Sequence, residues 1–126
     1  MIFVDTSVFM YAVGREHPLK DEARAFFRNQ GNTGEPLATS AEVLQELIHA
    51  YVPVNRLDAL DAALLLVTSR TGAIWSLDAE DAFLARQLVA KHPGLRARDL
   101  LHLACCRRRG VERVKTFDRG LAAVFG

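Results

Sequence analysis

Ile2-Phe3-Val4-Asp5-Thr6-Ser7-Val8-Phe9 is the stretch that decides the fold of this chain. Its first residues are β-branched or aromatic, which predicts a short strand that ends at Asp5. Thr6 or Ser7 can then cap a helix that continues to Gly14. The chain therefore opens as a strand followed by a helix.

The rest of the chain repeats this order of short strand and longer helix. Further strands are predicted at Pro36–Thr39, at Ala73–Leu77 and around Val114. Helices are predicted from Pro18 to Gly31, Ser40 to Pro53, Asn55 to Gly72, Asp78 to His92 and Ala97 to Gly110, with a last turn or helix after Asp118. Because a parallel crossover needs about a dozen residues, the alternation predicts a doubly wound α/β fold. We expect a short parallel sheet of about four to five strands, with helices on both faces.

Length and hydropathy predict one domain that does not enter a membrane. The chain has 126 residues, half of them apolar, which is enough for a single core spanning 1–126. The longest strongly apolar stretch, Ala62–Val67, is far shorter than the ~20 residues that a membrane span needs. Asp5 interrupts the apolar start too early for a signal peptide. We expect a soluble protein.

Cysteine usage predicts a reducing, cytoplasmic setting. Cys105 and Cys106 are adjacent in a predicted helix, where neighbouring side chains point about 100° apart and are not easily bridged. No second pair at zinc-site spacing accompanies them. They are interpreted as small residues that pack the helix.

The charge is balanced overall but uneven along the chain. A formal net charge of +1 lacks the basic bias typical of nucleic-acid-binding proteins, so any RNA prediction must rest on a site. Basic residues nevertheless crowd the last third of the sequence: Arg96, Arg98, Arg107, Arg108, Arg109, Arg113, Lys115 and Arg119. This basic cluster can meet phosphates, or Arg107–Arg109 can simply complement a helix C-terminus. Both interpretations stay open.

Acidic residues follow the predicted strands. Asp5 and Asp118 each come directly after a strand, so both should lie at the carboxyl edge of the sheet, where α/β folds bind ligands. Neighbouring helices bring Glu42, Glu46 and Asp99 toward the same edge. Crowded carboxylates repel each other unless cations neutralise them, and Mg²⁺ or Mn²⁺ prefers such oxygen ligands. Bound ions of this kind can activate water to cut phosphodiesters.

Four segments, in order, resemble the motifs of PIN domains, and their spacing covers nearly the whole chain. The segments are Ile2–Phe9, Ser40 with Glu46-Leu47, Ala97-Arg98-Asp99-Leu100-Leu101-His102-Leu103-Ala104, and Thr116-Phe117-Asp118-Arg119-Gly120. The length is similar to that of VapC-type toxin ribonucleases. The resemblance implies an endoribonuclease that depends on Mg²⁺, with Mn²⁺ as a substitute, and acts on RNA. It also implies a cognate antitoxin partner and a homodimer.

The resemblance assigns roles to particular residues. The four metal-binding and catalytic acids correspond to Asp5, Glu46, Asp99 and Asp118. Asp5 and Asp99 are expected to hold the metal most directly, while Glu46 and Asp118 act through water or complete a second site. Thr6 and Thr116 resemble the hydroxyls that orient carboxylates or a phosphate in this family.

Each acid also has a plainer interpretation. Asp5 can be a helix cap, and Asp99 can simply favour the dipole of the helix that it begins. Asp118 can belong to an ordinary turn. Glu42 lies one helical turn before Glu46, so periodicity does not separate them, and only the resemblance favours Glu46.

Two further groups of polar residues are interpreted as structural. His102 follows Asp99 by one turn, where a metal ligand or general acid is conceivable, but it is predicted to be a packed or hydrogen-bonded histidine, outside the site. Asp78, Glu80 and Asp81 form a second acidic group after a strand that competes as a metal site, but helix capping explains Asp78 and Asp81.

Two other functions compete with the nuclease. Asp5 after the first strand also suits an aspartyl-phosphate enzyme, although Ser7 stands where a second acid is usual and Lys115 is the only nearby lysine. The other alternative is a binding module that keeps the fold and receives a basic segment of a partner in its acidic pocket.

Overall fold

The computed structural model describes residues 1–125, in which short strands and longer helices alternate. The strands are β1 (Ile2–Val4), β2 (Leu37–Ser40), β3 (Ala73–Trp75) and β4 (Arg113–Lys115). The helices are α1 (Thr6–Val13), α2 (Pro18–Thr33), α3 (Ala41–Tyr51), α4 (Leu57–Arg70), α5 (Ala79–Leu88), α6 (Ala97–Arg108) and α7 (Arg119–Phe125). None of these helices has both the length and the apolar character that a membrane span requires.

The strands form one parallel sheet in the order β3-β2-β1-β4. Ile2 of β1 lies opposite Leu37 on one side and Arg113 on the other. The chain moves outward from β1 to β3 and then returns to add β4 beside β1. In such a sheet the crevice at the carboxyl ends of the strands where the order reverses is the usual ligand site. The predicted α/β class is confirmed, with four strands and flanking helices.

The boundaries of several elements differ from the predictions. Helix α2 continues past Gly31, which has no positive φ, and it ends only at Gly34, which has φ +70°. Strand β3 stops at Trp75, two residues before the predicted end. Ser40 occupies the cap position of α3, but its buried hydroxyl makes no capping bond.

The core surrounds β1. Phe3 is fully buried, with its ring stacked on Trp75 of β3 at a centroid distance of 5.8 Å. On the side of α6, the ring of Phe3 lies 5.3 Å from that of His102. Cys105 and Cys106 are free and buried, as predicted, and burial raises the pKa of the Cys105 thiol to about 12. This packing fixes α6 against the first strand and thereby orients the residues at its amino end.

Candidate metal centre

Asp5 both begins a helix and faces a cleft. Its Oδ1 accepts a hydrogen bond from the backbone N–H of Thr6 at 2.8 Å, so the capping interpretation is correct. Its Oδ2 accepts a second bond, at 2.6 Å, from the hydroxyl of Thr116, which follows β4. The carboxylate is buried and is held by the first residue of α1 and by the residue that follows β4. Capping and a place in the site are therefore compatible.

The exit of β4 positions the last acid. The hydroxyl of Thr116 accepts the backbone N–H of Asp118 at 3.0 Å, and Oδ1 of Asp118 accepts the N–H of Leu121 at 3.0 Å. A side chain at Gly120 would approach that same Oδ1 to 3.2 Å, so glycine leaves room for the carboxylate. Thr116 thus links Asp118 to Asp5, which lies 111 residues before Thr116 in the sequence.

Helix α3 provides the second acid. Oε2 of Glu46 accepts a hydrogen bond from the hydroxyl of Thr6, at the start of α1. Glu46 lines the cleft, whereas Glu42 is buried nearby without lining it. Burial raises the pKa of Glu42, and the neighbouring Glu46 charge raises it further. The structure therefore separates two glutamates that helical periodicity left equivalent.

His102 is packed, as predicted, but it also reaches the acids. The side chain is 1% exposed, and its Nε2 lies 2.9 Å from Oε1 of Glu46 and 3.5 Å from Oδ1 of Asp5. Burial alone would lower the pKa of His102, but Glu46 and Asp5 outweigh burial and raise it. For Glu46, burial favours a higher pKa, and His102 with Thr6 reverses the shift. The sequence signal was only that His102 lies one turn after Asp99.

Asp99 lies half-buried at the amino end of α6. Burial raises the pKa of this carboxyl, and the negative charges of Asp118 and Asp5 raise it further. The backbone N–H of Arg96 partly offsets that rise. A carboxyl whose pKa is raised by two other carboxylates lies where extra positive charge stabilises the ionised form.

These side chains line one cleft of about 370 Å³ at the carboxyl edge of the sheet. Its lining comprises Asp5, Thr6, Ser7, Met10, Glu46, Ala50, Arg96, Arg98, Asp99 and Asp118. Ligand atoms of Asp5, Glu46 and His102 lie within 4.8 Å of one another. A larger cavity of about 600 Å³ lies between α1, α2 and α4, but its lining contains no acid. The smaller cleft is therefore the one suited to a divalent cation.

The competing acidic group is structural. Asp81 is 0% exposed, and its Oδ1 accepts bonds from Arg108 at 2.7 Å and Arg109 at 2.9 Å. Its Oδ2 accepts the backbone N–H of Asp78 at 2.8 Å, which confirms the capping prediction. Burial alone would raise the pKa of Asp81, but Arg109 and Arg108 hold it well below its usual range. No acid of this group lines the cleft.

Comparisons with known proteins agree with this geometry. Residues 2–125 match the family model described as PIN domain. The chain is 59% identical to "Ribonuclease VapC23" of Mycobacterium tuberculosis over 125 residues, which cover 99% of this chain and 98% of that protein.

Solved structures share the fold. The crystal structure of VapC20 from Mycobacterium tuberculosis, described as a "Sarcin-Ricin loop cleaving toxin", has a TM-score of 0.79 at 20% identity and covers 98% of this chain and 95% of that one. VapBC2 from Rickettsia felis, solved with a DNA fragment from its promoter, has a TM-score of 0.66 at 18% identity, covering 94% and 88%.

Proposed function

Because the chain belongs to the PIN domain family, we propose that it is a metal-dependent endoribonuclease, the toxin of a toxin-antitoxin pair, which hydrolyses RNA phosphodiesters with metal-activated water. One observation carries the proposal: four carboxylates from distant parts of the chain line a single cleft at the carboxyl edge of the sheet. The name of the 59% identical relative supports RNA as the substrate.

Mg²⁺ is the proposed cofactor, with Mn²⁺ as a substitute. The donor set fits a hard divalent cation, because it consists mainly of carboxylate oxygens. Burial, followed by the negative charges of Asp118 and Asp5, raises the pKa of Asp99, so a nearby cation would stabilise its ionised form. We assign Asp5 and Asp99 as the most direct ligands, with Glu46 and Asp118 acting through water or at a second site. When bound, the cation supplies Lewis acidity and activates the attacking water.

The remaining polar groups orient the proposed ligands. Thr6 donates to Glu46, and Thr116 donates to Asp5, so each hydroxyl fixes the direction of one carboxylate. His102 contacts both acids through its Nε2, which lies closer to Glu46 than to Asp5. Such outer groups commonly change metal affinity or activity by about 10- to 100-fold when they are removed.

Divalent cations should stabilise the folded protein. A cation at about 100 times its dissociation constant adds about 2.7 kcal/mol, because it binds the folded chain and relieves the repulsion among the acids. Thermal unfolding with Mg²⁺, Mn²⁺ or EDTA measures this effect. The same titration of Asp99→Asn should give a much smaller shift. An equal shift in both proteins would contradict the assignment of Asp99.

Removing the Thr116 hydroxyl should weaken metal binding and cleavage. Thr116→Ala leaves Oδ2 of Asp5 without its 2.6 Å donor, so we expect a loss of about 10- to 100-fold in metal affinity or turnover. Thr116→Ser keeps the hydroxyl and should stay within a few-fold of the wild type. Calorimetric titration with Mn²⁺ measures the affinity. Equal behaviour of the two variants would show that the hydroxyl does not position Asp5.

The proposed partners are RNA, a cognate antitoxin and a second copy of the chain. The likeness to a VapBC complex supports the antitoxin, and exposed apolar side chains where α3 ends and α4 begins support a homodimer. These are Ile48, Val52, Val54 and Leu57. We also propose that 1–126 functions as one domain and that it acts in the cytoplasm, where its RNA substrate would be. Sedimentation of wild type and Val54→Glu tests the dimer.

The two competing functions find little support in the structure. The ammonium group of Lys115 lies 3.4 Å from Glu22 and does not line the cleft, so an aspartyl-phosphate enzyme would lack its lysine. Ser7 donates to Asp5 in place of a second acid. Binding of beryllium fluoride at Asp5 would favour that enzyme. A folded protein that binds neither metal nor RNA would favour a binding module.

A further inference from the structure

The structure divides the basic cluster of the last third of the chain. Arg108 and Arg109 bind the buried carboxylate of Asp81. Arg113 pairs with Glu35 at 3.2 Å, and Lys115 pairs with Glu22 at 3.4 Å. Four of the eight basic residues are therefore paired with acidic side chains of the protein itself. Only Arg96 and Arg98 of this cluster line the acidic cleft.

Arg96 and Arg98 are exposed and line the acidic cleft. Within residues 1–125, neither side chain makes a hydrogen bond or an ion pair within 4.0 Å, although carboxylates line the same cleft. Their backbone is nevertheless fixed. The carbonyl of Arg96 accepts the N–H of Leu100 at 3.0 Å at the start of α6, and the N–H of Arg96 faces the carboxylate of Asp99. Two guanidinium groups without an ion pair in residues 1–125 thus lie at the amino end of α6, beside the candidate metal ligand Asp99.

We propose that Arg96 and Arg98 bind backbone phosphates of the RNA strand next to the scissile bond, an inference that rests on the proposed nuclease function. The carboxylates that would hold the metal repel a polyanion, so a substrate strand needs positive charge at the rim of the cleft. A guanidinium presents donors in a fork that matches two phosphate oxygens. Because no side chain in residues 1–125 pairs with these arginines, a phosphate can bind them without breaking an existing ion pair.

The position of the two arginines also fits a role in binding rather than in chemistry. They line the same cleft as the four carboxylates, so a strand held by them would lie beside those acids. Contacts to phosphates flanking the reacting group are made in the ground state and in the transition state alike. Such uniform binding changes KM much more than kcat.

The double variant Arg96→Gln/Arg98→Gln tests the proposal. We expect KM for a single-stranded RNA substrate to rise about 10- to 100-fold, with kcat within about 3-fold of the wild type. The dependence of log affinity on log salt should become shallower by about 1.4, because each single-strand phosphate contact contributes about 0.7. Arg96→Lys/Arg98→Lys keeps both charges and should recover most of the salt dependence.

A matched control makes the same change in charge elsewhere. Arg15→Gln/Arg107→Gln removes two exposed arginines, one after the end of α1 and one in the last turn of α6, neither of which lines the cleft. This control should keep the KM and the salt dependence of the wild type. Equal losses in both double variants would mean that only total charge matters, which would overturn the proposal. A fall in kcat at unchanged KM would overturn it as well.

Binding measured without cleavage separates this proposal from the nuclease. Fluorescence anisotropy of a labelled RNA strand with Asp99→Asn, and with the same variant carrying both glutamines, reports the arginine contacts directly. A weaker, less salt-dependent complex for the triple variant supports phosphate binding by Arg96 and Arg98. If the wild type nevertheless cleaves no RNA, only the proposed nuclease function fails. If the wild type cleaves RNA but Asp99→Asn and the triple variant bind RNA identically, only the proposal for Arg96 and Arg98 is refuted.

Discussion

Asp99→Asn should lower kcat/KM for metal-dependent RNA cleavage by about 1,000-fold, which corresponds to about 4 kcal/mol of transition-state stabilisation. The amide keeps the size of the side chain but removes a charge that we assign to the metal. Loss of a direct ligand removes the several kcal/mol that a bound cation contributes to a phosphodiester transition state. The measurement is cleavage of a structured RNA pool with Mg²⁺ or Mn²⁺, with and without EDTA.

The same substitution should not unfold the protein. Burial together with Asp118 and Asp5 raises the pKa of Asp99, so the ionised form destabilises the metal-free fold at neutral pH. Asp99→Asn should therefore melt at the same temperature as the wild type in EDTA, or higher. Asp61→Asn, a similar change at an exposed position of α4, serves as the control and should keep full activity. Undiminished cleavage by Asp99→Asn would refute the assignment.

Asp81→Ala should reduce the free energy of unfolding by about 3 kcal/mol. The carboxylate is 0% exposed and binds two guanidinium groups and a backbone N–H, so its removal leaves Arg108 and Arg109 with only the longer contacts to the more exposed Asp78. Loss of one member of a buried ion pair commonly costs about 3 to 5 kcal/mol. We take the lower end because the arginine side chains are 31% and 20% exposed. Urea unfolding measures the change.

The exposed partner in this network provides the control. Asp78 is 46% exposed and approaches the same arginines at 3.5 to 3.6 Å, so Asp78→Asn should cost less than about 1 kcal/mol. Neither acid lines the cleft, and cleavage by folded Asp81→Ala should persist at low temperature. Similar losses of stability in the two variants would show that the arginines hold Asp81 no more strongly than an exposed acid.

Acid unfolding should report the same carboxylate. The folded pKa of Asp81 is held below its unfolded value, so its contribution is complete above about pH 4 and declines as the pH falls through the folded pKa. The wild type should therefore lose stability below pH 4 more steeply than Asp81→Ala. Urea unfolding at pH 3 and pH 6 measures the two slopes. Parallel curves would contradict a lowered pKa for Asp81.

Much of the fold follows from local sequence patterns. β-Branched and aromatic runs mark the strands, and apolar residues at helical spacing mark the helices, because each pattern reflects how one element buries one face. The element order then requires a parallel sheet. Errors occur where local signals compete, as at Gly31, which looked like a helix end but lies inside α2. Gly34 ends α2 with a left-handed backbone, whereas Gly31 has no positive φ and lies inside the helix.

Local sequence patterns predict only some of the residues that line the cleft. The sequence places Asp5 and Asp118 after parallel strands, and that placement alone brings them to one edge. The choice of Glu46 over Glu42 depends on how α3 packs against the sheet, since both lie on one helical face. The contacts of His102 with Glu46 and Asp5 join residues that are distant along the chain. Local sequence patterns do not predict contacts between residues that are far apart along the chain.

The sequence by itself determined the α/β class, the carboxyl edge as the location of the acids and the uneven distribution of positive charge, because these depend on residue type and periodicity. Only the tertiary structure decided which basic side chains form ion pairs. Arg109 binds Asp81 across 28 residues, while Arg96 and Arg98 make no pair within residues 1–125. Ion pairing is set by distances of a few ångströms between side chains, and those distances exist only after the helices have packed.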